Sequence, residues 1–281
     1  MENSANLYKK YLRLIGIKTV PTGIDGLREI VRKHLYHVPF ENISKLLLFG
    51  REKIGRPISL PEFLDGIEFN NLGGTCHSSN PYLQELLTYL GFDTVLLGAD
   101  MDEPNVHTCL RATLDSRQYH IDVGYAAPFS KPMRLDKTPH TIRHGKYTYR
   151  FKKNEKSDKY KIEVLLDGNR IHGYAINDDI RQFDFFIKTI EESFEAGQTF
   201  MSCVRITRVF EDQTIEMKDN RLIHYKGGNS HSKTLKNMDE VESAVKNELM
   251  MPRCPIKKAI RILEQVTQQN FFKEKNYPEK Y

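Results

Sequence analysis

Gly73-Gly74-Thr75-Cys76-His77-Ser78-Ser79-Asn80-Pro81-Tyr82-Leu83-Gln84-Glu85-Leu86-Leu87-Thr88-Tyr89-Leu90-Gly91-Phe92 is where the chain turns from one kind of structure to another. Its second half carries apolar residues at helical spacing and stops at Gly91, a good C′ residue. The run directly after it, Asp93-Thr94-Val95-Leu96-Leu97-Gly98, is β-rich. The helix starts at Cys76, straight after a glycine pair. Unpaired N–H groups and the positive helix pole favour a thiolate there. The glycines let backbone approach whatever the sulfur attacks.

Upstream, residues 1 to about 92 read as helical. Apolar spacing predicts a helix over 6–15, stopped by Gly16, and another over 25–36 with Asp25 as N-cap. Ser59, Pro61 and Glu62 make a capping box with an early proline, which starts a third helix. Downstream, 108–114, 118–123, 147–152 and 160–166 are β-rich and partly alternating, with Asp167-Gly168 as a turn. This middle section reads as an antiparallel sheet curled into a barrel. A third region starts near Asp178. It has a connecting helix over 183–195, a three-stranded meander over 204–225, and helices over 238–250 and 256–269.

Bulk properties narrow the function. The 281 residues include 42 Lys and Arg against 37 Asp and Glu, a mild excess scattered along the chain. A nucleic-acid partner calls for a clustered basic stripe with aromatics between. The densest run, 152–159, reads instead as a hairpin loop. The longest apolar stretch, Leu46-Leu47-Leu48-Phe49, is too short to span a membrane. The start, residues 1–6, has no secretory pattern. Cys76, Cys109, Cys203 and Cys254 are far apart with no CxxC pair, as expected of free thiols in a reducing cytoplasm. No metal site is expected, because the side chains of Cys76 and His77 should diverge from a helix start.

Two further residues complete a set with Cys76. Let Asp115-Ser116 be a two-residue hairpin turn, so that Leu114 faces Arg117. His107 then lies across from Gly124, and Asp122 is on the same face one diagonal step away, roughly 7–8 Å between α-carbons. A one-residue change in the turn would send Asp122 to the other face. Cys76, His107 and Asp122 are therefore candidates for a thiol acyl-transfer site. The thiolate attacks an acyl group, the imidazole moves the proton, and the carboxylate orients the imidazole. Backbone N–H groups near Cys76 are the natural oxyanion donors. These residues alone leave open whether the acyl acceptor is water or an amine. Cys109, Cys203 and Cys254 read as packing residues.

In this order the residues resemble a family, the arylamine N-acetyltransferases. Tyr11-Leu12-Arg13-Leu14-Ile15-Gly16 is similar to its first helix. His34 followed by Pro39-Phe40-Glu41-Asn42-Ile43 resembles its H-x4-PFEN-L string, and Gly73-Gly74-Thr75-Cys76 with Asn80 its RGGxCxExN motif. His107 and then Asp122-Val123-Gly124-Tyr125 resemble its His and DVGFG elements.

The resemblance implies an α+β fold. A helical domain (1–92) carries the nucleophile, a β-barrel (93–177) carries His107 and Asp122, and an α/β lid takes up 178–281. It implies ping-pong transfer from acetyl-CoA through acetyl-Cys76 to an arylamine or hydrazine, with O-acetylation of N-hydroxyarylamines, and no metal. Phe40, Tyr125 and Phe200 would wall the acceptor pocket. Gly124, Tyr125 and Ala126 would approach CoA. Arg13 and Glu41 would form a buried pair.

The chain departs from the family at three places: Leu72 for Arg, Ser78 for Glu, and Ala126 for Gly. Losing the first two together suggests an ion pair removed as a unit, which is cheaper than losing one partner. Ala126 should restrict the CoA-side turn. A transglutaminase-like or papain-like thiol hydrolase shares the Cys-His-Asp order. A paralogue that only binds aromatic ligands would keep the pocket without turnover.

Overall fold

The computed structural model describes residues 4–273, apart from 21, 155, 156 and 158. Glu155, Lys156 and Asp158 of the basic loop, and residues 1–3 of the N-terminal segment, therefore lie outside the described residues.

The first part is helical: α1 (Ser4–Leu14), α2 (Gly23–His37), β1 (Phe40–Glu41), α3 (Ile43–Glu52), α4 (Leu60–Asn70) and α5 (Cys76–Tyr89). The local signals act as the sequence suggests at most ends. Ser59 and Glu62 form a complete capping box on α4, and Gly91 takes φ +86 just past α5. The cap of α2 is Thr22, not Asp25, which sits in the first turn near the positive pole.

The middle is an eight-stranded antiparallel sheet of β2 (Asp93–Asp100), β3 (His107–Leu114), β4 (Arg117–Ile121), β5 (Met133–Arg134), β6 (His140–His144), β7 (Tyr147–Lys153), β8 (Tyr160–Leu166) and β9 (Asn169–Arg181). Its order is β5-β4-β3-β2-β9-β8-β7-β6. The two edge strands come close, since His140 on β6 meets the Arg134 carbonyl on β5 at 2.7 Å. The barrel is thus nearly closed around its own core of Phe129, Tyr149, Phe151, Val164 and Tyr174. β9 was not expected from the sequence, and it runs past residue 178, where the third region was expected to start.

After it come α6 (Ile187–Glu192), α7 (Thr199–Ser202), the meander β10 (Arg205–Val209), β11 (Gln213–Lys218), β12 (Arg221–Lys226) and β13 (Asn229–Thr234), and then α8 (Met238–Asn247) and α9 (Ile256–Thr267). The meander has four strands, not three, and β1 adds a fifth along β10, with Phe40 opposite Thr207. Ile206, Ile215, Met217 and Leu222 on one sheet face share a core with α8, α9 and the first helices. So the first helices and the last sheet are one packed body. No helix among the described residues is long and apolar enough to cross a membrane.

Candidate active site

The start of α5, which carries Cys76, is pinned from behind. β1 runs beside the glycine pair, and the Glu41 amide donates to the Gly74 carbonyl at 3.0 Å. The Glu41 carboxylate turns back to accept from the amides of Gly73 (3.0 Å), Gly74 (2.6 Å) and Ser44 (2.8 Å). Burial pushes Glu41 up, and those three amides oppose it. Gly73 has to be glycine, since a Cβ there would lie 2.1 Å from the Pro39 carbonyl oxygen. Glu41 therefore does not pair with Arg13. Arg13 is 63% exposed and bonds Glu68 on α4 at 2.6 Å, because α1 turns that face outward.

The hairpin register is the one a two-residue turn gives. Leu114 pairs with Arg117 and Leu110 with Ile121, and Asp115 and Ser116 both take positive φ. Asp122 follows directly, buried, and His107 donates from Nε2 to its Oδ2 at 2.8 Å. That leaves the other ring nitrogen for the sulfur, and the Cys76 and His107 side chains interact electrostatically. The three residues found by sequence are thus brought together from α5, β3 and the end of β4.

His77 does not diverge as expected. Its ring bonds the Val106 carbonyl at 3.1 Å and also reaches the Cys76 sulfur. Among the described residues no group of three or more His, Cys, Asp or Glu is arranged around a metal position.

The electrostatics follow from this packing. Burial pushes the Cys76 thiol up, but the His77 and His107 rings together outweigh it and hold the thiol well below its usual value. Burial pushes His107 down, while Asp122 and the Cys76 thiolate outweigh it and raise it to about 10. Burial pushes Asp122 up, and the His107 charge and hydrogen bond keep it lower than usual. These directions favour a thiolate–imidazolium pair beside an ionised carboxylate.

Asn80, which entered the sequence reading only as a motif letter, is the clamp of the site. Its Nδ2 donates to the Thr108 carbonyl (2.6 Å) and Asp122 Oδ1 (2.9 Å), and its Oδ1 accepts from the Val123 amide (2.9 Å). One amide side chain so ties α5 to β3 and to the Asp122 turn. Thr108 adds a bond from Oγ1 to the Cys76 carbonyl at 2.8 Å.

Tyr174 on β9 donates to Asp122 Oδ2 at 2.7 Å. With that proton committed, His120 must be the donor in its 2.9 Å contact with the Tyr174 oxygen. Neither residue was singled out by sequence. β9 was not legible, and His120 looks like any inward strand residue.

The turn after Asp122 lies directly on Cys76. A Cβ at Gly124 would be 2.5 Å from the Cys76 Cα. Tyr125 meets the His107 ring edge-on at 5.5 Å and bonds His172. Ala126 sits at φ +60, so it does carry strain in that turn. Phe40 and Phe200 pack edge to face at 5.7 Å, with the Phe200 carbonyl held by Asn42 at 2.8 Å.

Leu72 is buried in the apolar core, and Ser78 Oγ is shared by the carbonyls of Gly73 and Thr75, 3.2 Å from each. Neither position leaves a charge behind. Two cavities flank this backbone. One of about 50 Å³ is lined by Lys45, Gly74, Thr75, His77 and Ser78. The other, of about 300 Å³, lies between α3 and α4 and is lined by Leu47, Phe63, Phe69 and Leu72. Phe40, Tyr125 and Phe200 line neither of the two.

A family model described as N-acetyltransferase matches residues 23–252. The pineal gland isozyme of arylamine N-acetyltransferase from Gallus gallus is 29% identical over 122 residues, 40% of this chain and 40% of that protein. The matched stretch thus spans less than half of that relative's length. The arylamine N-acetyltransferase of Nocardia farcinica has a similar fold, with a TM-score of 0.77, 21% identity and 95% of both chains covered. The Mycobacterium marinum arylamine N-acetyltransferase, solved in complex with CoA, gives a TM-score of 0.77 at 18% identity, covering 92% of this chain and 99% of that one.

Proposed function

From the premise that this chain belongs to the arylamine N-acetyltransferase family, we propose that it carries an acetyl group from acetyl-CoA to an arylamine or hydrazine through a thioester on Cys76. What supports this most is the gathering of Cys76, His107 and Asp122 at the head of α5, with His107 bonded to Asp122 at 2.8 Å and coupled to the Cys76 sulfur. That the Mycobacterium marinum relative was solved with CoA supports the choice of donor.

In the first half-reaction the Cys76 thiolate attacks the acetyl carbonyl carbon. The carbon–sulfur bond to CoA breaks, and CoA leaves with the proton from His107. In the second, His107 takes a proton from the incoming amine, which attacks the thioester and returns the sulfur as thiolate. Asp122 stays ionised throughout and keeps the imidazole turned to the sulfur.

Backbone N–H groups at the start of α5 are the proposed donors to the charge that develops on the carbonyl oxygen. Tyr125, beside His107, and the Phe40–Phe200 pair are the proposed aromatic walls for a flat acceptor. Gly124, Tyr125 and Ala126 are the proposed CoA-side contacts. The division into 1–92, 93–177 and 178–281 is proposed as a division of labour, nucleophile, base and lid, and four free cysteines support a reducing, cytoplasmic setting.

Initial rates over a panel of anilines and hydrazines at several acetyl-CoA concentrations test the reading. Ping-pong transfer gives parallel double-reciprocal lines and CoA release matched to acetylated amine. Converging lines, or peptide and amide cleavage without CoA dependence, would overturn it in favour of a thiol hydrolase.

A further inference from the structure

Among the described lysines only Lys45 is buried, at 8% exposure. It stands in the first turn of α3. Its Nζ donates to Ser193 Oγ and lies 4.1 Å over the Phe194 ring. Neither partner carries a charge. Glu191, Glu192 and Glu195, beside Ser193 and Phe194, are exposed to solvent, and the acids and bases nearer α3 are committed. Arg56, on the loop after α3, is held by Glu52 and Glu62 at 2.7 Å each. Glu41, just before α3, is taken up by three backbone amides. On its far side α3 meets α9 with Ile262 against Gly50.

What faces Lys45 across the small cavity is the start of α5: Gly74, Thr75, His77 and Ser78, on either side of Cys76. A buried ammonium with no carboxylate is costly unless some other charge offsets it. The Cys76 thiolate is such a charge. Burial pushes Lys45 down and the charge on Cys76 opposes it, which leaves Lys45 lowered to about 7. The coupling is mutual, so a cation at Lys45 favours a thiolate at Cys76.

We propose that Lys45 is a positioning residue, a counter-charge behind the nucleophile that helps keep Cys76 a thiolate in the free enzyme. The proposal rests on the reading of Cys76 as the attacking group. His107 and His77 act on the sulfur directly, and Lys45 acts through the cavity wall. It touches neither donor nor acceptor.

The test is the rate of Cys76 alkylation by iodoacetamide against pH, followed by mass spectrometry of the labelled peptide. It compares the wild type with Lys45→Met, which keeps the length of the stem, and Lys45→Arg, which keeps the charge. Circular dichroism and thermal melts on each variant confirm folding. Lys45→Met should move the inflection to higher pH by about half a unit, seen as a fall of about three-fold in rate below the wild-type inflection. Lys45→Arg should keep the wild-type profile.

A folded Lys45→Met with an unmoved profile overturns the proposal. Should Lys45→Met fail to fold, Lys45→Gln carries the same comparison. Alkylation needs no acetyl-CoA, so this result stands apart from failure of acetyl transfer itself.

Discussion

Alanine at position 124 is the sharpest perturbation of the site that leaves its chemistry in place. The added Cβ would lie 2.5 Å from the Cys76 Cα, 2.8 Å from Asn80 Nδ2 and 3.0 Å from the Cys76 Cβ. Two of these are atoms of Cys76's own backbone and stem, with no flexible end to swing aside. The turn and the start of α5 must separate by roughly 1 Å, and a misplacement of that size at a reacting centre costs about 10²-fold in rate. Overpacking of this kind also costs about 1–3 kcal/mol of stability. Gly91→Ala is the matched control. Nothing lies within 4 Å of its Cβ, but its φ is +86, so it loses about 1 kcal/mol of stability through backbone strain alone. The assay is kcat/KM for acetyl transfer, with a thermal melt on each variant. Gly124→Ala is expected to lose about 10²-fold and Gly91→Ala to keep nearly full rate. A Gly124→Ala enzyme with wild-type rate and melting temperature would refute the claim that this turn sets the position of the sulfur.

Other changes have distinct signatures. Asn80→Ala removes three buried hydrogen bonds and leaves their partners dry, so unfolding in urea should show a loss of about 3–5 kcal/mol and acetyl transfer should collapse. Ala126→Gly relieves a residue at φ +60 and should raise stability by up to about 1 kcal/mol, read as a higher melting temperature. His107 is raised from 6.5 to about 10 in the fold. Its charged form therefore adds stability that is complete below its unfolded value and lost as pH rises through about 10. The stability gap between the wild type and His107→Gln in urea should be widest near pH 6 and shrink towards pH 10. A gap that stays constant would mean the imidazole is neutral in the fold.

The hairpin that carries His107 and Asp122 was legible because its two-residue turn fixes side-chain parity, and the observed register follows that turn. The capping box at Ser59 was legible for the same reason, a local bond that needs no distant partner. β1 was not. Its two residues become a strand only by pairing with β10, more than 160 positions away. β9 was hidden by Gly173, which takes φ +144 and packs against the Ile162 carbonyl, so its pattern breaks where the strand does not. β13 has exposed residues throughout and shows no apolar alternation. The Gly227-Gly228 pair before it, both at positive φ, was the usable signal. The Arg13–Glu41 pairing failed because a motif says which residues recur and not which way a helix faces. Asn80 and Tyr174 were obscure because their work is to hold other residues, and that is visible only in three dimensions.

Every step above needs the sulfur of residue 76 to become an acyl carrier. Mixing the protein with one equivalent of acetyl-CoA and no amine, then weighing it intact and mapping the peptides, measures this directly. The expected result is a single acetyl group on Cys76, discharged by an added aniline and absent in Cys76→Ala. An unmodified protein, or acetyl on another residue with Cys76→Ala still competent, would contradict it.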